Sequence, residues 1–211
     1  MQRRSPSPPS PPARAGRPRS AAADEAILAA TREVLVEAGW SGLRLGEVAS
    51  RAGVAKTTLY RRWPGKSELV VDAVAVLFDE LELPDSGSLA SDVSAVVLQF
   101  AALLERPETR TSLMAVVAES TRDEALRRRI RSAIVDRQKR LVVEGRARAQ
   151  GRGEIPPDAD PASADRNTDL VFDVIAGTVV HRALVSAQPV DADWAERLAL
   201  LLVAGIRGTP P

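Results

Sequence analysis

The sequence contains no cysteine and a single histidine, His181. Disulfides, cysteine-ligated zinc and iron–sulfur clusters are therefore excluded, and so is a histidine-rich metal site. Aromatic residues make up 3% of the 211 positions. A core must then be built from Leu, Val, Ile and Ala, which suit closely packed helices. No apolar run approaches the roughly 18 residues needed to cross a bilayer. The opening stretch, MQRRSPSPPSPPARAGRPRS, lacks the apolar segment of a secretory signal. A cytoplasmic protein with no membrane partner is expected. No Gly-rich phosphate loop occurs, and His181 lies in an apolar stretch with no nucleophile motif beside it. No cofactor, metal or catalytic constellation is expected, and the chain reads as a non-enzyme.

Hydrophobic residues account for 45% of the chain and charged residues for 27%, a balance that predicts a packed core. The net charge of +1 conceals a division. Residues 1–66 carry 12 Lys and Arg against 5 Asp and Glu, a balance of +7, while residues 67–211 carry 17 against 23, a balance of −6. A basic first third on an acidic remainder implies that the first third alone meets a polyanion.

Periodicity predicts an all-α protein of about nine helices. Residues 1–20 are too rich in Pro, Ser and Arg, and too poor in apolar side chains, to pack, and read as a disordered arm. From Asp24, Ile27, Leu28, Val34 and Leu35 recur at helical spacing until Ala38-Gly39, where glycine can cap. Short helices are expected at about 45–52 and 56–63, separated by Gly53-Val54-Ala55. Pro64-Gly65 ends the second. Longer helices follow at about 66–81, 89–105, 108–119, 122–149, 162–186 and 191–206, with loops around Pro84–Gly87 and over 151–161. The expected organisation is an arm at 1–20, a three-helix nucleic-acid-binding unit at 21–81 and a helical unit at 82–211.

The segment GWSGLRLGEVASRAGVAKTTLYRRWPGKSEL, residues 39–69, carries the chemistry. Two short helices joined by a glycine-containing turn fit a helix-turn-helix. Val48 and Ala49 can pack on Leu59, with Val54 in the corner. Gly53 can take the positive φ that the turn needs. The second helix is expected to offer Lys56, Thr57, Thr58, Tyr60, Arg61 and Arg62 to solvent. These groups can neutralise phosphates, bind guanine edges and touch thymine methyls.

The run AGVAKTTLYRRWPGKSEL resembles the TetR family of bacterial regulators, and the likeness extends in detail over about Ala22–Phe78. Its RRWP form is similar to a subgroup common in high-GC actinobacteria. The resemblance implies a dimeric transcription regulator, by family default a repressor of palindromic double-stranded DNA operators. It implies that Lys56, Thr57 and Thr58 open the recognition helix, that Tyr60 and Lys66 meet the phosphate backbone, and that Arg61 adds a contact. Trp63 is expected to pack. Arg44 stands where the family often has a capping Thr or Ser, and Ala55 where it often has Ser or Gly. Arg44 remains a candidate phosphate contact. In the arm, Ala-Gly-Arg-Pro-Arg resembles the core of an AT-hook, which makes Arg17 and Arg19 candidate minor-groove contacts.

In the C-terminal part the helix expected at 162–186 carries two apolar stripes, so it must be buried on two sides. Val171, Ile175, Thr178, Val179 and Val185 form one. Leu170, Val174, Gly177, His181 and Leu184 form the other, and with Trp194, Leu198 and Leu201 of the last helix they are the expected homodimer interface. A small-molecule effector is expected, with Phe78, Phe100, Leu103, Leu104, Met114, Val117 and Phe172 as candidate pocket walls. The alternative is a constitutive or nucleoid-type DNA binder that answers to no effector.

Overall fold

The computed structural model describes residues 21–208. Arg17 and Arg19 lie outside the described residues. Ten α-helical stretches follow in order: α1 (Ala21–Gly42), α2 (Leu45–Arg51), α3 (Lys56–Arg62), α4 (Lys66–Phe78), α5 (Leu89–Glu105), α6 (Pro107–Ser120), α7 (Glu124–Ile130), α8 (Asp136–Gly151), α9 (Pro161–Val180) and α10 (Ala192–Gly208). A π-helical turn over Arg131–Val135 joins α7 to α8, and a second, His181–Val185, extends α9. Counting α7, its π turn and α8 as one rod gives nine helices among the described residues, with no strand between them.

Glycines set two of the breaks. Gly39 sits at φ 65°, ψ −176° and interrupts α1, so the chain turns before the short piece that ends at Gly42. Gly53 takes φ 66° between α2 and α3. A Cβ built there meets nothing within 4 Å, so the demand is purely one of backbone angle. Gly53→Ala is therefore expected to cost about 1–2 kcal/mol, the penalty of a left-handed L-residue, read as a fall of a few degrees in Tm. An unchanged Tm would show that the turn relaxes.

The seven-residue α2 and α3 are too short to be stable alone. Neither has a side-chain cap. Arg44 and Ala55 occupy the N-cap positions and make no capping hydrogen bond, as their residue types foretell. Burial holds the two helices instead. Val48, Ala49 and Leu59 are fully enclosed, joined by Ile27, Val34 and Leu35 from α1 and by Leu69, Val70 and Val74 from α4. Truncating Leu59 would remove about 2–5 kcal/mol of this support.

The same apolar cluster continues into the C-terminal helices, where α10 packs on α5, and α8 and α9 close the other sides. Capping is explicit here. Ser88 Oγ accepts from Ser91 N at the start of α5. Asp123 and Asp160 cap α7 and α9 by accepting from Leu126 N and Ser163 N.

The wide turn in the rod has a legible cause. Leu126, Ile130, Ile134 and Gln138 form its inner stripe, at steps of four, and all are buried or half-buried. In a regular helix each such step overshoots by about 40°, so three would carry the stripe well off the core face. A π turn rotates less per residue and absorbs the drift. Leu141, Gly145 and Ala149 then continue the buried face.

Candidate nucleic-acid interface

Helix α3 divides cleanly. Leu59 is fully buried and Trp63, just beyond the helix, is 7% exposed. Lys56, Thr57, Tyr60 and Arg61, at spacings that share one face, are exposed, Tyr60 by 49%. Thr58 is half-buried at the edge. The Lys56 stem lies across Gly46 of α2. A Cβ at position 46 would come within 3.0 Å of Lys56 Cε, so glycine there lets the lysine lie flat.

The basic groups are sorted by face. Arg51, on the far end of α2, is matched by Glu37 at 2.7 Å, Glu47 at 3.1 Å and Glu33 at 3.7 Å. That hydrogen bond holds the Glu37 carboxyl below its usual range. Arg62, expected from the sequence to face solvent with the others, is instead turned inward and pairs with Asp24 at the start of α1. Lys56, Arg61 and Arg44 form no ion pair among the described residues. Charge neutralised on the back and left free on the front is the signature of a surface that meets an external polyanion.

Arg44 is exposed, and its guanidinium folds back to the Ser41 carbonyl at 2.7 Å. Lys66 departs further from the sequence expectation. It is half-buried, its Nζ donates to the Trp40 carbonyl, and it lies 4.8 Å from the centre of the Trp40 ring. Burial lowers the pKa of its ammonium. The nearby Arg44 charge adds to that shift and Glu119 opposes it. Lys66 thus ties the broken end of α1 to the start of α4. Trp63 packs, and its indole Nε1 donates to Asp72 Oδ2 at 2.9 Å.

The profile of the bacterial tetR-family regulatory proteins matches residues 27–73, and that of the tetracyclin repressor-like C-terminal domain matches residues 83–202, more than half of the chain. The chain belongs to the TetR family. It is 32% identical over 178 residues to the DNA-binding transcriptional repressor TetR of Mycobacteroides abscessus, covering 82% of this chain and 87% of that one. Among solved structures, the TetR family transcription regulator SCO0332 superposes with a TM-score of 0.68 at 28% identity, over 90% of this chain and 99% of that one. FadR of Bacillus subtilis, crystallised with stearoyl-CoA, shares the fold at 19% identity and a TM-score of 0.62, over 86% of this chain and 98% of its own. As a TetR-family member the protein is a DNA-binding transcription regulator and not an enzyme.

The C-terminal helices of this TetR-family chain leave one face uncovered. Leu170 is 60% exposed and Leu201 72%. Gly177 and His181 are exposed, and Val174, Leu184 and Trp194 half-buried. A groove of about 560 Å³ runs between α9 and α10 along Leu170, Val174, Leu198 and Leu201, and a neighbouring hollow is lined by Gly177, His181 and Trp194. Leu198 is buried in its own chain and forms the groove floor rather than a projecting contact. Of the opposite stripe, Val171 and Val179 are buried, whereas Val185 at the end of the π turn is exposed.

The candidate pocket walls scatter. Phe78 and Phe100 meet with ring centroids 5.9 Å apart, and with Leu103 and Leu104 they are buried core. Phe172 is half-buried. Met114 and Val117 face outward, 45% and 44% exposed, because the buried face of α6, which packs on α1, α4 and α5, is the one that carries Thr109, Ser112 and Val116. They do not wall an interior site. A small apolar cavity of about 40 Å³ lies instead among α5, α8, α9 and α10, beside Val93, Leu141, Gly145, Val171 and Leu202. Among the described residues no helix is long and apolar enough to cross a membrane, and no group of three His, Asp or Glu could hold a metal.

Proposed function

We propose that the protein is a homodimeric repressor that binds a palindromic operator through paired copies of α3 and is released by a small-molecule effector. The observation that carries this reading is the sorting of charge around α2 and α3, with Lys56, Arg61 and Arg44 free of acidic partners beside exposed Thr57 and Tyr60. Lys56 and the two threonines enter the major groove. Tyr60, Arg61 and Arg44 meet phosphates on its walls, and Lys66 reaches one by exchanging the Trp40 carbonyl for it. The arm, with Arg17 and Arg19, follows the adjacent minor groove. The α9–α10 face meets its copy across a two-fold axis, which places two recognition helices about 34–36 Å apart, one helical turn of DNA.

The effector occupies the C-terminal helices, where the apolar cavity beside Leu141 and Val171 can open. The capture of stearoyl-CoA by a protein of the same fold supports an apolar ligand. Binding in the state with the wrong helix spacing lowers operator affinity by linkage. Nuclease footprinting on DNA flanking the protein's own gene tests the reading. A symmetric protected site is expected. It weakens with Tyr60→Ala and Lys66→Ala and vanishes on adding an extract that contains the effector. Undiminished protection by both variants would refute the contact assignment.

A further inference from the structure

Asp72 lies on α4, and its carboxylate is shared between two parts of the molecule. Oδ2 accepts from Trp63 Nε1 at 2.9 Å, and Oδ1 meets the Arg129 guanidinium at 2.5 Å. Trp63 closes the recognition helix, whereas Arg129 belongs to α7 in the C-terminal part. A second pair, Arg137 to Asp79 at 2.6 Å, repeats the link further along in the same direction. Residues 72 and 79 are seven apart on one rod, and 129 and 137 are eight apart on the other. The π turn between the latter takes up the extra residue and itself packs on α4.

We propose that Asp72 is a positioning residue for operator half-site spacing. Held by Arg129, it fixes the tilt of the recognition helix against the C-terminal helices, and so the distance between the two recognition helices of a dimer. The inference rests on the two-fold operator reading above. Asp72 and Arg129 are 31% and 42% exposed, and half-exposed ion pairs contribute little to stability. What the pair supplies is orientation. A charge-assisted hydrogen bond on one oxygen fixes the plane of the carboxylate that receives the indole on the other. Tilting α3 would drag Trp63, and with it Asp72, away from Arg129.

The test uses full-length Arg129→Gln, Asp72→Asn and their double variant. Asparagine keeps an acceptor for the indole and removes the charge. The probes are a duplex selected by the wild type from a random pool, and the same duplex with one base pair inserted at its dyad. The wild type is expected to bind the inserted duplex at least tenfold more weakly. That ratio should fall at least threefold in each single variant and no further in the double, with Tm unchanged within about 2 °C. The indole N–H resonance of Trp63, assigned with Trp63→Phe, should move in Arg129→Gln although Arg129 does not touch the ring. An unchanged spacing ratio together with an unmoved resonance overturns the proposal. If the wild type fails to discriminate between the duplexes, the two-fold reading falls. The resonance then decides the bridge by itself, a shift upholding it and no shift ending it.

Discussion

Replacing Lys56 and Arg61 together by alanine lowers operator affinity by about two orders of magnitude and leaves the fold intact. Both side chains are exposed and neither is in an ion pair, so the free protein loses no internal partner. A contact of this kind to a base or phosphate is worth about 1–3 kcal/mol, roughly tenfold or more for each residue. Where the lost contacts are to phosphate, the dependence of log affinity on log salt becomes shallower by about 0.9 per contact. Arg51→Ala is the matched control. It removes one positive charge, half of what the double variant removes, from the same small unit, but one already neutralised by Glu33, Glu37 and Glu47 on the far side. Its affinity should stay within about twofold of wild type. Fluorescence-anisotropy titration over a salt series measures all three. A loss for Arg51→Ala half as large, in log affinity, as that of the double variant would mean that net charge alone governs binding, and the facial sorting would count for nothing.

The second large effect is expected at the other end of the molecule. Leu170→Glu combined with Leu201→Glu converts a dimer into a single chain in light-scattering chromatography and weakens operator binding at least a hundredfold. These leucines are 60% and 72% exposed, so glutamate at either position leaves the chain's own core untouched. Enclosed by a partner, however, each carboxylate would lose its hydration without gaining a counter-ion, a cost of several kcal/mol. Loss of the partner then removes the second half-site. Leu198 is unsuited to this experiment. At 7% exposure it belongs to the chain's own core, and its replacement would destabilise the fold before it tested an interface. A double variant that still elutes as a dimer would place the interface elsewhere.

Local signals made most of the fold legible. The 3.6-residue period located the helices to within a few residues. Gly53 announced the turn, and the poor caps at Arg44 and Ala55 could be read from residue type alone. Most of the exposed set on α3 was legible for the same reason, because on a seven-residue helix Leu59 fixes which way Lys56, Thr57, Tyr60 and Arg61 must point, but Thr58 is half-buried and Arg62 turns inward. What failed was phase and distance. Met114 and Val117 look like core by hydrophobicity, yet α6 turns them out and buries Thr109 and Ser112. Which face of a helix is covered is set by the helices packed on it, and the α6 sequence carries no trace of α1, α4 or α5. The salt bridge from Arg62 to Asp24 spans 38 residues and that from Asp72 to Arg129 spans 57, so no spacing rule could join them. The position of Lys66 was evident, but its engagement with Trp40 depends on the break at Gly39 bringing that carbonyl within reach.

The wide turn between α7 and α8 bears on how this chain is to be aligned with its relatives. It holds one residue more than an unbroken α-helical ladder would use. A homologue lacking a single residue within 131–135 can close the ladder and still present both flanks inward. The same gap anywhere else along the rod would swing one flank by about 100° and put Leu141 or Leu126 into water. A lone deletion at this point is therefore a change of helical pitch, and it leaves the architecture as it was.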